Sequence, residues 1–498
     1  MNKITTKTQT RRLLKGALVA AVAIVMAAGA PARAQTEITL IGQDNPAVDL
    51  PAVQSAVDTY DIVKLEGTFD FTGVGQSLAI TRDVVLVGQD DAAGNMARII
   101  ANNGVEVAVW INNPGGTVEL DNLDIESTSG RIVHVGLGIW WPSPDGCKDL
   151  KVKNCRIVST LPEAEAACIG TFGGVKGAVY LEGNYISGHY CAGDWGWWVG
   201  SVGNCTWDVC CNTLLATSLC LDPIASKGMR IENNHCEGPS ILHAPATQGE
   251  IVITDNTMLQ SGHQVFGGAN NAFGMYLSHE SGFSGGRISG NTITMSPSEN
   301  VPLSGIVPAI CLGIYPAPAH GMLVEGNTIT GKADWGIALD SGSSDNIIKA
   351  NNLENFTAVQ FGQYGAAQIL IGGGGHDNLL SGNVIGPLGP GAGAGILCWV
   401  GYDNDLIRNH YTSSGIQGLS GSNLACVLMG PATGGNLVHE PGRFPRGTGG
   451  ATEQVLDLPR ELTGSTTNRV AGHSASTLAE DINPGIGQRV KDALDQLE

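Results

Sequence analysis

Three short apolar runs in this 498-residue chain each lead into a group that can carry a proton. Leu219-Cys220-Leu221 leads into Asp222, Met275-Tyr276-Leu277-Ser278 into His279 and Glu280, and Ile337-Ala338-Leu339 into Asp340. A carboxylic acid facing a carboxylate is the equipment of glycoside hydrolysis. The protonated group gives its proton to the leaving oxygen and the ionised one activates water, which for inversion needs a separation of about 6.5–9.5 Å. Glu280 and Asp340 are the expected pair, with His279 tuning or replacing one of them and Asp222 as a further candidate. The plainer reading makes Ser278-His279-Glu280 the polar start of a loop and Asp340 a turn residue. A lyase or epimerase would instead need a base near a uronate α-proton and a cation beside its carboxylate. Lys227, Arg230 and His243, close to Asp222 in sequence, are the candidates for those roles.

Aromatic residues supply a second signal. Trp140-Trp141, Trp195-Gly196-Trp197-Trp198 and Tyr276 offer flat faces on which sugar rings stack, so Trp140, Trp195, Trp198 and Tyr276 form the expected substrate-binding set. Packing against the core or a second subunit would use the same residues. Met and His show no close-set cluster of the kind that binds copper, and the cysteines lack the repeated Cys-x-x-Cys spacing of a zinc site.

The elements that must position these groups are legible as a repeat. Asn184, Asn212, Asn234, Asn256, Asn291, Asn327, Asn351, Asn383 and Asn409 each have an apolar residue three positions before, from Leu181 to Leu406. Each is followed two positions later by Ile186, Leu214, Cys236, Met258, Ile293, Ile329, Leu353, Ile385 or Tyr411. Intervals of 22 to 36 residues mark a stacked solenoid with variable loops. Leu120/Ile125 and Val152/Ile157 extend the pattern with Leu123 and Cys155 in place of asparagine, giving eleven rungs between Val118 and Tyr411. At a strand spacing of about 4.8 Å the body should be roughly 50 Å long. Asparagine suits such corners because it tolerates a left-handed backbone and its amides can hydrogen-bond up the column.

A second strand column aligns upstream of the corners. Ile139, Trp197, Leu219, Ile241, Met275, Ile310, Ile337 and Ile396 are expected inward, followed inward two positions on by Trp141, Val199, Leu221, His243, Leu277, Leu312, Leu339 and Cys398. Alternation then sends Trp140, Trp198, Cys220, Leu242, Tyr276, Cys311, Ala338 and Leu397 outward. An apolar outer column of this length calls for a cover: a loop, the C-terminal tail, a ligand, or a second subunit in a homo-oligomer. Thr171, Asp222, Ser278 and Asp340 fall at its outer edge. Asp222 and Asp340 lie four rungs apart, about 19 Å, whereas Glu280 and Asp340 lie two rungs apart, about 10 Å.

Residues 1–34 read as a cleaved export signal of twin-arginine type. Thr10-Arg11-Arg12-Leu13-Leu14-Lys15 precedes an apolar run from Ala17 to Ala28, and Ala32-Arg33-Ala34 fits the cleavage site. The mature protein is expected in the periplasm or secreted, with no integral membrane segment. Residues 35–117 read as an N-terminal cap and first rungs, with Asp49-Leu50-Pro51 and Val53, Ala56 and Val57 forming a short capping helix. Residues 118–430 read as the regular solenoid, and 431–498 as an irregular tail ending in a short helix that carries Val490, Leu494 and Leu497. Removing the leader takes six of the 27 basic residues against 46 acidic ones, leaving a net charge of about −25. That field disfavours nucleic acid and anionic membranes. The expected partner is a polysaccharide or other glycan. No cofactor is evident, and an anionic polymer would require calcium or a local basic patch. Twelve cysteines in an exported chain permit disulfides, chiefly stapling and filling the early rungs.

The corner phrases Gly183-Asn184-Tyr185-Ile186, Gly290-Asn291-Thr292-Ile293 and Gly326-Asn327-Thr328-Ile329 resemble right-handed parallel β-helix repeats of the pectin-lyase-like superfamily. The resemblance spans roughly residues 46 to 430. It implies an all-β right-handed parallel β-helix of about eleven or more rungs. For function it implies a range: polysaccharide lyases, hydrolases, uronan epimerases, copper-delivery proteins and non-catalytic surface scaffolds share this architecture. Asp90-Asp91 lies too early, and Ala319-His320-Gly321 lacks the companions, for the polygalacturonase motif set. Trp110-Ile111-Asn112-Asn113 lacks both chemical residues of the pectate-lyase signature. A carbohydrate-active enzyme leads, with a periplasmic or cell-surface binding scaffold as the alternative.

Overall fold

The computed structural model describes residues 35–136, 146–160, 167–171, 174–188, 191–193, 205–215, 218–220, 228–238, 242–245, 250–262, 264–266, 269–278, 283–297, 303, 305–313, 318–361, 366–389, 392–411, 425–430, 432–439, 455–457 and 467–471. Short strands of alternating burial stack in parallel into sheets of sixteen, fourteen and eleven strands. The alternation explains the shape. In Val84–Gln89, Val84 and Leu86 are buried while Val85 and Val87 face outward, so three sheets can enclose one apolar interior. That interior is one continuous cluster running from Leu50 to Val455. Among the described residues, eleven strands of the sixteen-stranded sheet lie between Val118 and Tyr411, as the repeat predicts.

The nine asparagines form one ladder. Each of the first eight donates its side-chain amide and its backbone N–H to the next side-chain oxygen, as Asn256 does to Asn291 at 2.9 and 3.0 Å and Asn291 does to Asn327 at the same distances. Each amide also donates to a strand carbonyl of the preceding rung, as Asn291 does to Ile253 at 2.9 Å. Stacking is therefore the reason for asparagine; the left-handed backbone is not. Positive φ falls on the residue before it, at Gly183, Cys211, Asn233, Asp255, Gly290, Gly326, Ala350, Gly382 and Arg408, with values from 51 to 66° across these and the neighbouring corners.

A second ladder, unmarked by the repeat above, runs up another corner. Met322 N–H donates to Asn346 at 2.9 Å, and Asn346, Asn378, Asn404, Asn436 and Asn468 follow in the same head-to-tail pattern. Here too a left-handed residue comes first: Asp345, Asp377, Asp403 and Gly435.

The outer column of the fourteen-stranded sheet has the expected alternation in its later rungs. Met275, Ile310, Ile337 and Ile396 join the interior, while Tyr276, Cys311, Ala338 and Leu397 join a separate outer cluster. One rung is added, since Ile369-Leu370-Ile371 pairs between the Ile337 and Ile396 rungs. Three earlier rungs are shifted. The column strands are Arg131–Val135, where Ile139 to Trp141 was expected, and Cys191–Gly193, where Trp197 to Val199 was expected. His243 pairs with outward Tyr276, one position from the inward register assigned above. The outer cluster is itself buried: Tyr276 is 5% exposed and Leu428 3%. The described part of this face is thus closed within one chain and needs no second subunit to shield it.

At the N-terminal end the helix Pro46–Thr59 plugs the interior with Leu50, Val53, Ala56 and Val57. It starts earlier than expected, because Asn45 caps it by accepting from Ala47 N–H at 3.1 Å and Pro46 fills the first turn; Pro51 lies inside. Buried Asp49 accepts from the backbone N–H groups of Gln43, Asn45 and Asp70 at 2.9, 2.8 and 3.0 Å, tying plug to first rung. Asp49→Ala leaves three donors without an acceptor. It should cost about 3 kcal/mol, read as an earlier urea transition of the N-terminal rungs by hydrogen exchange.

Rungs continue past residue 430 through Leu437–His439, Val455–Asp457 and Arg469–Ala471, so part of the expected tail belongs to the solenoid. The leader and the terminal helix lie outside the described residues. No helix among the described residues is long and apolar enough to cross a membrane. Cys147, Cys155, Cys210, Cys211, Cys236, Cys311 and Cys398 are free thiols, a correction to the expected stapling at these positions. Most fill rungs. Burial pushes the thiols of Cys155, Cys236 and Cys398 up to about 12, which makes them inert as nucleophiles.

Candidate functional site

Asp340 follows directly on the strand Trp335–Leu339, at the edge of the buried outer cluster. The chain turns there through Ser341 and Gly342, both with positive φ, and the turn is pinned as Ser343 donates from its N–H (3.1 Å) and its hydroxyl to the Asp340 carbonyl. The carboxyl group leans onto the next rung. A Cβ on Gly372 would stand 3.1 Å from its Oδ1 and one on Gly373 2.2 Å, so the Gly372–Gly374 turn leaves the room it occupies. Asp340 is half-buried, and loss of hydration raises its carboxyl pKa above the usual 3.8, against a smaller lowering by the Ser341 N–H. A carboxyl group that retains its proton above the usual carboxylate range is suited to general-acid work. Burial drives the Cys311 thiol well above its ordinary range, and the nearby Asp340 charge adds to the effect.

The other expected catalytic groups, Glu280, His279 and Asp222, lie outside the described residues, as do Trp140, Trp195, Trp198 and Lys227. The register nevertheless fixes spacings along the column. Leu277 pairs with Leu312 and Leu312 with Leu339, so the strand that leads to Glu280 runs two rungs from the strand that leads to Asp340, about 10 Å. Tyr276 does face outward, but it packs against Phe273 at 5.2 Å between ring centres and is covered, so it presents no open face to a sugar. Thr171 is buried as well. The lyase constellation is dispersed, since Arg230 belongs to the sixteen-stranded sheet and His243 to the fourteen-stranded one. Arg230 is also engaged with Glu232 at 2.7 Å.

A groove of about 580 Å³ crosses the outer face of the sixteen-stranded sheet, lined by Glu232, Glu250, Thr254, Asp255, Arg287 and Glu325 among others. Glu325 there is held in its ionised form and is no proton donor. Lys349 at 2.9 Å and Arg287 at 2.8 Å hold Glu325 below its usual range. Glu232 and Glu325 are separated by the Thr254 and Ser289 rungs, three strand spacings or about 14 Å, beyond the reach of a hydrolytic pair. Asp340 is thus the described carboxyl group whose surroundings favour proton donation. Among the described residues no group of three or more His, Cys, Asp or Glu side chains could hold a metal ion.

Residues 224–411 match the family model described as right handed beta helix region. The fold is a right-handed parallel β-helix. No curated protein matches the sequence. Solved structures similar to this β-helix include the tailspike protein of E. coli bacteriophage HK620 in complex with pentasaccharide. It is 13% identical with a TM-score of 0.40, over 86% of this chain and 75% of that one. Another is DFA-IIIase from Arthrobacter chlorophenolicus A6 without its lid, 14% identical with a TM-score of 0.36, over 86% of this chain and 94% of that one. Likeness at this level says nothing of activity.

A feature the repeat did not single out is the stack of His376 on Tyr402, with ring centres 4.8 Å apart and planes 8° from parallel. Its signal in the sequence is His376-Asp377-Asn378 and Tyr402-Asp403-Asn404, two corners of the second ladder.

Proposed function

We propose that this β-helix is an exported, carbohydrate-active protein that cleaves or modifies a polysaccharide, with Asp340 as its general acid. The observation that carries the reading is the half-buried Asp340 carboxyl group, raised in pKa and held on a glycine turn at the rim of an outer strand face. Hydrolysis is favoured over elimination, because Arg230, a cation an eliminating site would need, is paired with Glu232 and lies on another sheet from His243. Glu280 is the proposed partner carboxylate, His279 an auxiliary base, and Trp140, Trp195 and Trp198 the proposed stacking residues. Export through the leader places the protein in the periplasm or outside the cell. Calcium enters only if the substrate is anionic. A non-catalytic binding scaffold is the second reading, favoured by the burial of Tyr276 and its outer column.

The test is to incubate the mature protein with neutral and uronic polysaccharides, with and without calcium, and to measure new chain ends. Proton donation by Asp340 also sets a pH dependence. Its folded pKa is raised, so the protonated donor persists above the ordinary carboxylate range and is lost as pH rises through the raised value. The kcat/KM profile should therefore fall on its alkaline side, and a profile that rises there would refute this role.

A further inference from the structure

His320, Ser344, His376, Tyr402 and Gly434 pair from rung to rung along one outer corner of the helix. The lower part of this column is filled: His320 Nδ1 meets the Ser344 hydroxyl at 2.8 Å, and His376 lies flat on one face of Tyr402 while its Nδ1 meets Asp377 at 2.8 Å. On the other face of Tyr402 the column continues with glycine. Tyr402 is 46% exposed, against 5% for Tyr276. Where a Cβ on Gly434 would stand, only Thr467 Oγ1 among the described residues comes within 4 Å, at 2.8 Å. Beside it the Asp403 carboxylate lies over left-handed Gly435, where a Cβ would be 1.9 Å from Oδ1. Among the described residues this leaves a slot about one rung high, near 4.8 Å, with an aromatic floor, a carboxylate on one flank and a hydroxyl on the other.

We propose that this slot is a binding subsite for one ring of an uncharged polysaccharide. The apolar face of a pyranose would lie on Tyr402, held flat by His376, while ring hydroxyls donate to Asp403 and share a hydrogen bond with Thr467. Charge selects the class of sugar. Asp345, Asp377 and Asp403 are exposed at successive rungs of the second ladder, so a uronate carboxylate would meet like charge at about strand spacing. The subsite rests on the glycan reading for its ligand but not on Asp340 or on turnover.

The test is calorimetric titration of the mature protein with neutral hexaoses (xylo-, gluco-, galacto- and manno-) and with hexagalacturonate. At least one neutral hexaose should bind more tightly than hexagalacturonate. Tyr402→Ala should weaken that binding at least tenfold. Gly434→Val keeps the tyrosine and fills the slot; Gly434 has no positive φ, and the group its Cβ displaces is the Thr467 hydroxyl that accepts from Gly435 N–H, so this variant, with its Tm measured beside wild type, should show the same loss. Asp340→Asn should bind as wild type does while losing turnover. Unchanged binding in both slot variants, or a wild type that prefers hexagalacturonate or binds none of these sugars, would overturn the subsite. Tyr402-dependent binding without turnover in the wild type would uphold the subsite and remove the catalytic reading.

Discussion

Asn291→Ala should cost the β-helix about 3–6 kcal/mol, one of the two largest effects expected of any single substitution in this chain. The amide at this position accepts from the Asn256 side chain and backbone and donates to the Ile253 carbonyl, all within a fully buried corner. Alanine removes that acceptor and that donor at once, and each orphaned buried group costs about 1–3 kcal/mol. Asn291→Asp keeps one acceptor but turns a second oxygen toward the Ile253 carbonyl and the Asn327 oxygen, so it should be at least as harmful. Because each rung touches only its neighbours, the loss should be local: hydrogen exchange should accelerate from about Ile253 to Thr328 while the N-terminal plug stays protected. Exchange unchanged in those rungs would show that strand packing alone holds the corner.

Asp340→Asn should abolish polysaccharide turnover, lowering kcat by about 100-fold or more, the scale of a lost general acid, without unfolding the protein. The sign of the stability change separates a site from a structural turn. A folded pKa raised by burial means that ionised Asp340 destabilises the fold: its contribution is fully favourable below the ordinary carboxylate pKa and is lost as pH rises through the raised value. The neutral amide escapes this penalty. At neutral pH the variant should therefore melt at the same temperature as wild type or slightly higher, with the difference vanishing on acidification. A large fall in Tm would make Asp340 a structural residue.

The legible parts of the fold are those where one residue type answers one physical demand. Buried stacked amides require asparagine, and the inward positions three before and two after require apolar side chains, so eleven rungs could be placed by counting. The second ladder is not marked by the corner repeat, although Asn346, Asn378 and Asn404 each precede a member of the first ladder by five residues. It begins late, at the Met322 rung, and its apolar partners differ. The rungs expected at the tryptophans differ from the observed strands for another reason. Loops between the outer column and the corner vary in length, so counting back from the corner could not tell Arg131–Val135 from the residues around Trp140, nor Cys191–Gly193 from those around Trp198. Asp340 was visible because it ends an alternating run. Its half-burial was not, because the space it uses is created by Gly372 and Gly373, a full rung away in the structure and unremarkable in sequence.

Chain-length analysis of neutral polysaccharides incubated with matched wild type and Asp340→Asn tests the central claim most directly. The account predicts new reducing ends from at least one neutral polymer with wild type and none with the variant, at equal Tm. Wild type that leaves every neutral and uronic polymer intact, or a variant that cleaves as fast as wild type, would contradict it.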